Sequence, residues 1–261
     1  MKLSQKEINW LLEEKYPSVT SGQVRSKNSG VNPEFFRDIK RLKEGEPLDY
    51  VIGFVKFLDC KIDLSKKPLI PRPETEFWTE KVIQEIGTKK VKCLDIFAGS
   101  GCIGVAVLNK SKNVKLDFGE KEKKFCEQIK INVKINRINL KRYKIINSDI
   151  FGKINGKYDF IFANPPYVAE IKIKNVQKTV LKHEPKNAVF GGKDGFLYIK
   201  KFLFEAKNHL NPDGKIYMEI DSWQKLELEK ILKKEKYENW EIRKDQFGKT
   251  RYVIIKTYGT R

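Results

Sequence analysis

The run Tyr158-Asp-Phe-Ile-Phe-Ala163, closed by Asn164-Pro165-Pro166-Tyr167, constrains this chain more than any other stretch. Its β-branched and aromatic side chains have the length and character of a buried strand, and the prolines end it abruptly. Two consecutive prolines hold φ at about −65° and remove two N–H donors. The carbonyls of Asn164 and Pro165, and the Asn164 side chain, are therefore expected to face outward with little freedom. A side-chain amide oxygen beside a backbone carbonyl can accept both hydrogens of a planar –NH2 group, while the ring of Tyr167 stacks on its plane. Such a tip suits the presentation of an amide or amino nitrogen to an electrophile. Taken alone, the tetrapeptide also fits an ordinary strand followed by a proline turn.

The surroundings of that strand narrow the choice. From residue 91 onward, strand-like segments (91–97, 114–118, 143–146, 158–163, 215–220, 240–245 and 251–256) alternate with helix-like ones (101–108, 121–135, 196–210 and 224–234). This predicts an α/β fold with a seven-stranded, mostly parallel, Rossmann-like sheet. Ligands of open parallel sheets bind beyond the carboxyl ends of the strands. Four polar tips are expected there: Asp95 with the turn Phe97-Ala98-Gly99-Ser100-Gly101, then Glu120, then Asp149-Ile150, then Asn164. The glycine turn lacks the Lys-Ser/Thr of a phosphate-binding loop, which argues against a nucleoside triphosphate. It permits instead close approach of a ligand bearing a carboxylate and an amino group. Glu120 is placed to accept from both ribose hydroxyls. The order of the tips points to S-adenosylmethionine rather than a nicotinamide.

Upstream, residues 1–48 read as a small helical module, with helices over 2–16 and 33–43 around a polar, loop-like stretch at 18–30. Residues 49–68 read as a hairpin linker of strands 50–58 and 60–64, and residues 69–261 as the catalytic domain. Between hairpin and sheet lies Pro68-Leu-Ile-Pro71-Arg72-Pro73-Glu74-Thr75-Glu76, a proline-stiffened loop leading into a helix over 77–86. Thr75 is expected to cap that helix, with Glu74 and Glu76 near its positive end. The segment Asn211-Pro-Asp-Gly214 reads as a turn.

Composition sets limits rather than a function. The chain carries 53 Lys+Arg against 34 Asp+Glu, a net +19, which suits a polyanionic partner such as RNA or reflects a general lysine bias. Cys60, Cys93, Cys102 and Cys126 are irregularly spaced and indicate neither a zinc site nor a disulfide framework, and two histidines exclude multi-histidine chemistry. No metal is expected. Without an apolar run of membrane-spanning length or an apolar signal core, the expectation is a cytoplasmic protein.

Further motifs accompany these tips: Gly45-x-Pro47-x-x-Tyr50-x-x-Gly53, the Leu69–Glu76 block, Glu184-Pro185 with Gly191-Gly192-x-Asp194-Gly195, Glu219-Ile220 with Gln224, and Asp245-x-x-Gly248-x-x-Arg251. Together with Asn-Pro-Pro-Tyr they resemble the peptide chain release factor glutamine methyltransferase family over nearly the whole chain. Two stretches depart from its usual pattern. Ile96-Phe97-Ala98 precede Gly99 where the family has Leu-Gly-Thr, and Glu120 stands where it has Asp.

The resemblance implies methyl transfer from S-adenosylmethionine to the side-chain amide of the glutamine in the Gly-Gly-Gln motif of release factors. A monomer is expected. Asn164, Pro165 and Tyr167 would be catalytic. Asp95, Phe97, Ala98, Gly99, Ser100, Gly101, Glu120, Asp149, Ile150 and Asn164 would hold the cofactor. Pro166, Arg72 and Glu74 would join Asn164, Pro165 and Tyr167 around the substrate. The alternative is an adenine-N(6) DNA or RNA methyltransferase, favoured by the charge and by the fit of Asn-Pro-Pro-Tyr to an exocyclic adenine amine. The Leu69–Glu76 block and the loop 184–195 favour the amide.

Overall fold

The computed structural model describes residues 3–19 and 33–257; the stretch expected to be loop-like, 18–30, lies outside the described residues from position 20 on. Helix α1 (Gln5–Lys15) starts at Ser4, whose hydroxyl accepts from the Glu7 N–H while the Glu7 carboxylate accepts from the Ser4 N–H. With α2 (Pro33–Lys43) and α3 (Leu48–Ile52) it encloses Leu11, Phe35, Leu42 and Val51. Asp38 ties this cluster together, accepting from Lys15, Tyr16 and Arg41. Strands β1 (Phe54–Phe57) and β2 (Cys60–Asp63) form the expected antiparallel hairpin. Residues 50–52 are not part of it. They form the end of α3, burying Tyr50 and Val51, and Gly53 at φ 94° closes the turn. A short apolar run does not distinguish a buried turn of helix from a strand.

Helix α4 (Pro73–Ile86) begins earlier than expected, with Arg72 at its N-cap position and Pro73 in the first turn. Thr75 is not the cap. Its side chain is buried inside the molecule and bonded to Glu219. There follow β3 (Lys92–Ile96), α5 (Cys102–Lys110), β4 (Lys115–Glu120), α6 (Lys123–Ile135), β5 (Tyr143–Asn147) and β6 (Tyr158–Ala163). The long segment after β6 carries two short helices, α7 (Lys178–His183) and α8 (Lys186–Val189). Then come α9 (Leu197–Ala206), β7 (Leu210–Glu219), α10 (Lys225–Lys234), β8 (Asn239–Lys244) and β9 (Thr250–Lys256). Asn211 to Gly214 is an irregularity within β7 rather than a turn before it, with Asp213 at φ 61° and a shift in the pairing with β6.

The seven-stranded sheet has the order β5-β4-β3-β6-β7-β9-β8. The five strands from β5 to β7 are parallel, and β9 runs antiparallel to both β7 and β8. Side chains on β6 alternate between two cores: Phe160 and Phe162 join Trp78, Phe118 and Tyr217 on one face, while Ile161 and Ala163 join Leu94, Phe202 and Leu203 on the other. A strand buried on both faces reads as a continuous apolar run, which is why Phe160–Ala163 is so legible. The four cysteines are buried and free. His209 stacks on Phe151 with ring centroids 4.4 Å apart, a packing role. No described helix is long and apolar enough to cross a membrane.

Candidate active site

The chain winds outward from β3 to β4 and β5, then returns to lay β6 on the other side of β3. The β3/β6 boundary is the topological switch point of the sheet, where a crevice opens beyond the carboxyl ends. Register places the tips side by side: Ile96 pairs with Ala163, Ile96 with Gly119, and Ala163 with Met218. Phe97, Glu120, Asn164 and Glu219 therefore leave the sheet at one edge.

A cleft occupies the crevice, walled by Phe97, Gly99, Glu120, Asp149, Ile150 and Asn164 among others. Glu120 is buried; one carboxylate oxygen accepts the Gly99 N–H at 2.8 Å and the other the Glu122 N–H at 2.8 Å. Burial raises its pKa even so. Gly99 sits at φ 54°, and a Cβ there would meet no protein atom closer than 3.9 Å, so the backbone presents a bare face to the cleft. Phe97 and Ile150 also hold positive φ, which turns these two tips sharply at the cleft wall. Exposed Asp149 pairs with Lys121 at 2.9 Å at the rim.

Asp95, Ala98, Ser100 and Gly101 do not line the cleft. All are buried beneath it: the Ser100 carbonyl accepts from Asn132 at 2.9 Å, and Gly101 starts α5 with φ 76°. Asp95 accepts the Gly104 N–H at 2.9 Å through one oxygen, while the other is buried without a partner. Burial first, with Glu120 nearby, pushes its pKa up to about 8. An acid raised in the folded state binds its proton there but not in the unfolded chain, so its contribution is full below pH about 4 and is lost as pH rises through about 8. Between those limits the protein without cofactor should lose up to about 1.4 kcal/mol per pH unit from this group. Urea denaturation across that range is expected to show a shallower slope for Asp95→Asn; identical slopes would remove Asp95 as the source.

A second cavity adjoins the first, lined by Arg72, Pro165, Tyr167, Val180 and Glu219. Leu69, Asn164 and Ala188 line both, so Asn164 stands in the wall between them. Its Nδ2 donates to Thr75 Oγ1 at 3.4 Å, whereas neither its Oδ1 nor the Pro165 carbonyl accepts a hydrogen bond among the described residues. Buried Glu219 accepts from Thr75 at 2.6 Å, from Trp78 Nε1 at 3.0 Å and from Tyr167 at 3.1 Å. Burial, and then the Glu219 charge, hold the Tyr167 phenol far above its ordinary range, so it remains a neutral donor.

The long segment after the motif folds back to grip it. Val168 pairs with Phe190, and Gly191 donates to the Val168 carbonyl at 2.9 Å. A Cβ at Gly191 would stand 2.5 Å from the Pro166 carbonyl oxygen, and one at Gly195 2.5 Å from that of Tyr167. Only glycine permits backbone on backbone this close. Arg72 pairs with buried Glu184 at 2.5 Å, and Glu184 also accepts the Ile70 N–H, so the proline loop is fastened to the same segment. Glu74 lines neither cavity and faces Arg251 at 3.9 Å. Asn187 bonds to Glu122 at 2.9 Å, bringing α8 over the cofactor-side rim. Leu69, Asn187 and Tyr198 also line the cleft without having been assigned to it: Leu69 opens the proline-stiffened block, whereas Asn187 and Tyr198 come from segments distant in sequence with no local pattern to mark them.

Comparison with known proteins places this arrangement in a family. Residues 75–196 match the model of the methyltransferase small domain. The chain is 35% identical over 219 residues to the release factor glutamine methyltransferase of Lactococcus lactis, covering 83% of this chain and 80% of the relative. It is 31% identical over 243 residues to that of Thermodesulfovibrio yellowstonii, covering 92% and 84%. The chain belongs to the release factor glutamine methyltransferase family. A methyltransferase from Pyrococcus furiosus shares the fold with TM-score 0.56 at 21% identity over 85% of this chain and 98% of that one. A ribosomal protein L11 methylase from Lactobacillus delbrueckii does so with TM-score 0.54 at 14% identity over 75% and 83%. Membership makes the chain a methyltransferase, and its Asn164-Pro165-Pro166-Tyr167 element forms part of the wall between the two cavities.

Proposed function

We propose that the protein transfers a methyl group from S-adenosylmethionine to the side-chain amide nitrogen of the glutamine in the Gly-Gly-Gln motif of peptide chain release factors. The observation that carries this reading is the position of Asn164, in the wall common to the cleft and the second cavity. S-adenosylmethionine supplies a sulfonium-bound, electrophilic methyl. The cleft suits it: Glu120 keeps acceptor capacity for the ribose hydroxyls, Gly99 offers bare backbone, and Phe97, Asp149 and Ile150 complete the walls. Asp95, Ala98, Ser100 and Gly101 act from beneath by shaping the turn.

The acceptor amide enters the second cavity. Its nitrogen is a poor nucleophile because its lone pair is delocalised, so the task of the site is orientation, which contributes on the order of 7–11 kcal/mol when well achieved. Asn164 Oδ1 and the Pro165 carbonyl accept the two amide hydrogens, Tyr167 packs against the amide plane, and Pro166 braces the turn. As nitrogen bonds to the methyl carbon, the breaking C–S pair returns to sulfur and positive charge grows on nitrogen. The two carbonyl dipoles stabilise that charge. The nitrogen then sheds its proton to solvent, a cationic amide being strongly acidic. Arg72, held by Glu184, lines the substrate cavity.

The same reading makes residues 1–48 a substrate-binding module, 49–68 its linker and 69–261 the catalytic domain. It describes a cytoplasmic monomer whose affinity for RNA is incidental to its charge. The test is transfer of labelled methyl to a purified release factor, to its Gln-to-Ala variant and to a DNA duplex in parallel. Label is expected on the first alone. Label on the duplex and none on the factor would promote the adenine alternative.

A further inference from the structure

Asn164 can accept from an –NH2 group only if its oxygen, and not its nitrogen, faces the second cavity. A side-chain amide is nearly symmetric in shape, so something must set its direction. The neighbouring groups do so by elimination. Trp78 Nε1 can only donate, and it donates to Glu219 Oε2 at 3.0 Å, which makes that oxygen an acceptor. Thr75 Oγ1 lies 2.6 Å from the same oxygen, so its single hydrogen is committed to Glu219. The Thr75 hydroxyl has only lone pairs left to offer Asn164. The Asn164 NH2 must then turn toward Thr75, as it does at 3.4 Å, and its oxygen turns away.

We propose, building on the amide-methylation reading above, that Glu219 and Thr75 are positioning residues that set the polarity of the Asn164 amide and thereby make the site select a carboxamide over a carboxylate. Glu219 also holds Tyr167 at 3.1 Å, so one buried carboxylate aligns both side chains of the motif that face the acceptor. With oxygen outward, Asn164 and the Pro165 carbonyl present two acceptors, which suits the –NH2 of glutamine and repels the carboxylate of glutamate. With the amide reversed, an N–H donor would face the cavity and attract that carboxylate. The direction of one side chain thus becomes a specificity device. A site whose polar groups are left unmatched rejects the wrong group strongly.

The discriminating variant is Thr75→Val, which keeps shape and removes the hydroxyl; Thr75→Ser restores it. With release factor as substrate, kcat of Thr75→Val is expected to fall about 10- to 100-fold, with the dissociation constant for S-adenosylmethionine, read by calorimetry, within about twofold of wild type. The factor bearing Glu in place of the target Gln, used as a competitive inhibitor, should bind Thr75→Val at least about fivefold tighter than wild type, and Thr75→Ser should behave as wild type on both counts. Glu219→Leu should move in the same direction, since it removes the acceptor that fixes the Thr75 hydrogen. A kcat loss without a change in inhibition by the Glu-bearing factor would overturn the polarity assignment and leave only packing. An absence of methylation of the wild-type factor by the wild-type enzyme would fail the amide reading itself, a result visible before any variant is compared.

Discussion

Asn164→Ala is expected to lower methyl transfer to the release factor by about 10³-fold or more while leaving S-adenosylmethionine affinity within a few-fold of wild type. Removing one preorganised electrostatic partner of a transition state costs about 10²–10³ in rate, and here the same group also orients the nucleophile. The fold should be little affected, because Asn164 is only half-buried and the one hydrogen bond its side chain makes among the described residues is long, at 3.4 Å. Single-turnover transfer from labelled cofactor separates the two effects, since it reads chemistry with the cofactor site saturated. A single-turnover rate within tenfold of wild type would mean that Asn164 is a wall residue and no more.

Gly195→Ala should be nearly as damaging from a greater distance. The new Cβ would stand 2.5 Å from the Tyr167 carbonyl oxygen and 3.2 Å from the Trp223 ring, on a backbone at φ 75°. Strain of this kind costs about 1–3 kcal/mol, and relief requires the Tyr167 backbone to shift. Displacement of a positioning group by about 1 Å can cost about 10²-fold in rate, so turnover should fall with stability. Gly248→Ala is the control: Gly248 holds φ 76° but a Cβ there meets nothing within 4 Å. It carries the conformational penalty alone and should leave methyl transfer intact. Equal losses of activity in the two variants would show that global destabilisation, and not contact with the motif, is responsible.

The legible parts of this molecule were those written locally. Strand β6 announced itself because burial on both faces leaves Phe160–Ala163 without a polar interruption, and the polar residues at the carboxyl ends of β3, β4, β5 and β6 mark strand ends wherever the sheet is placed. Local rules misled where tertiary contacts overrode them. Thr75 reads as a helix cap because threonine in a first turn commonly is one; a carboxylate 144 residues away claims its hydroxyl instead. Tyr50 and Val51 read as strand because a short apolar run carries no period, and packing against α1 and α2 made it helical. Arg72 and Glu74 are neighbours in one loop, yet Arg72 finds Glu184, 112 residues on, and Glu74 faces Arg251. The glycines at 191 and 195 could be seen as conspicuous, but only the fold shows that they press on the carbonyls of Pro166 and Tyr167.

If Asn164 Oδ1 and the Pro165 carbonyl accept the two amide hydrogens as proposed, that pair of acceptors also determines how many times the reaction can occur at one nitrogen. An unmodified carboxamide brings two hydrogens to two acceptors. After one transfer a single hydrogen remains, and the new methyl occupies the direction that the second hydrogen had taken. The product can no longer satisfy both oxygens, and to return it would have to press a methyl group against a carbonyl. The site that drives the first addition therefore opposes a second, and the modification is left as a single mark.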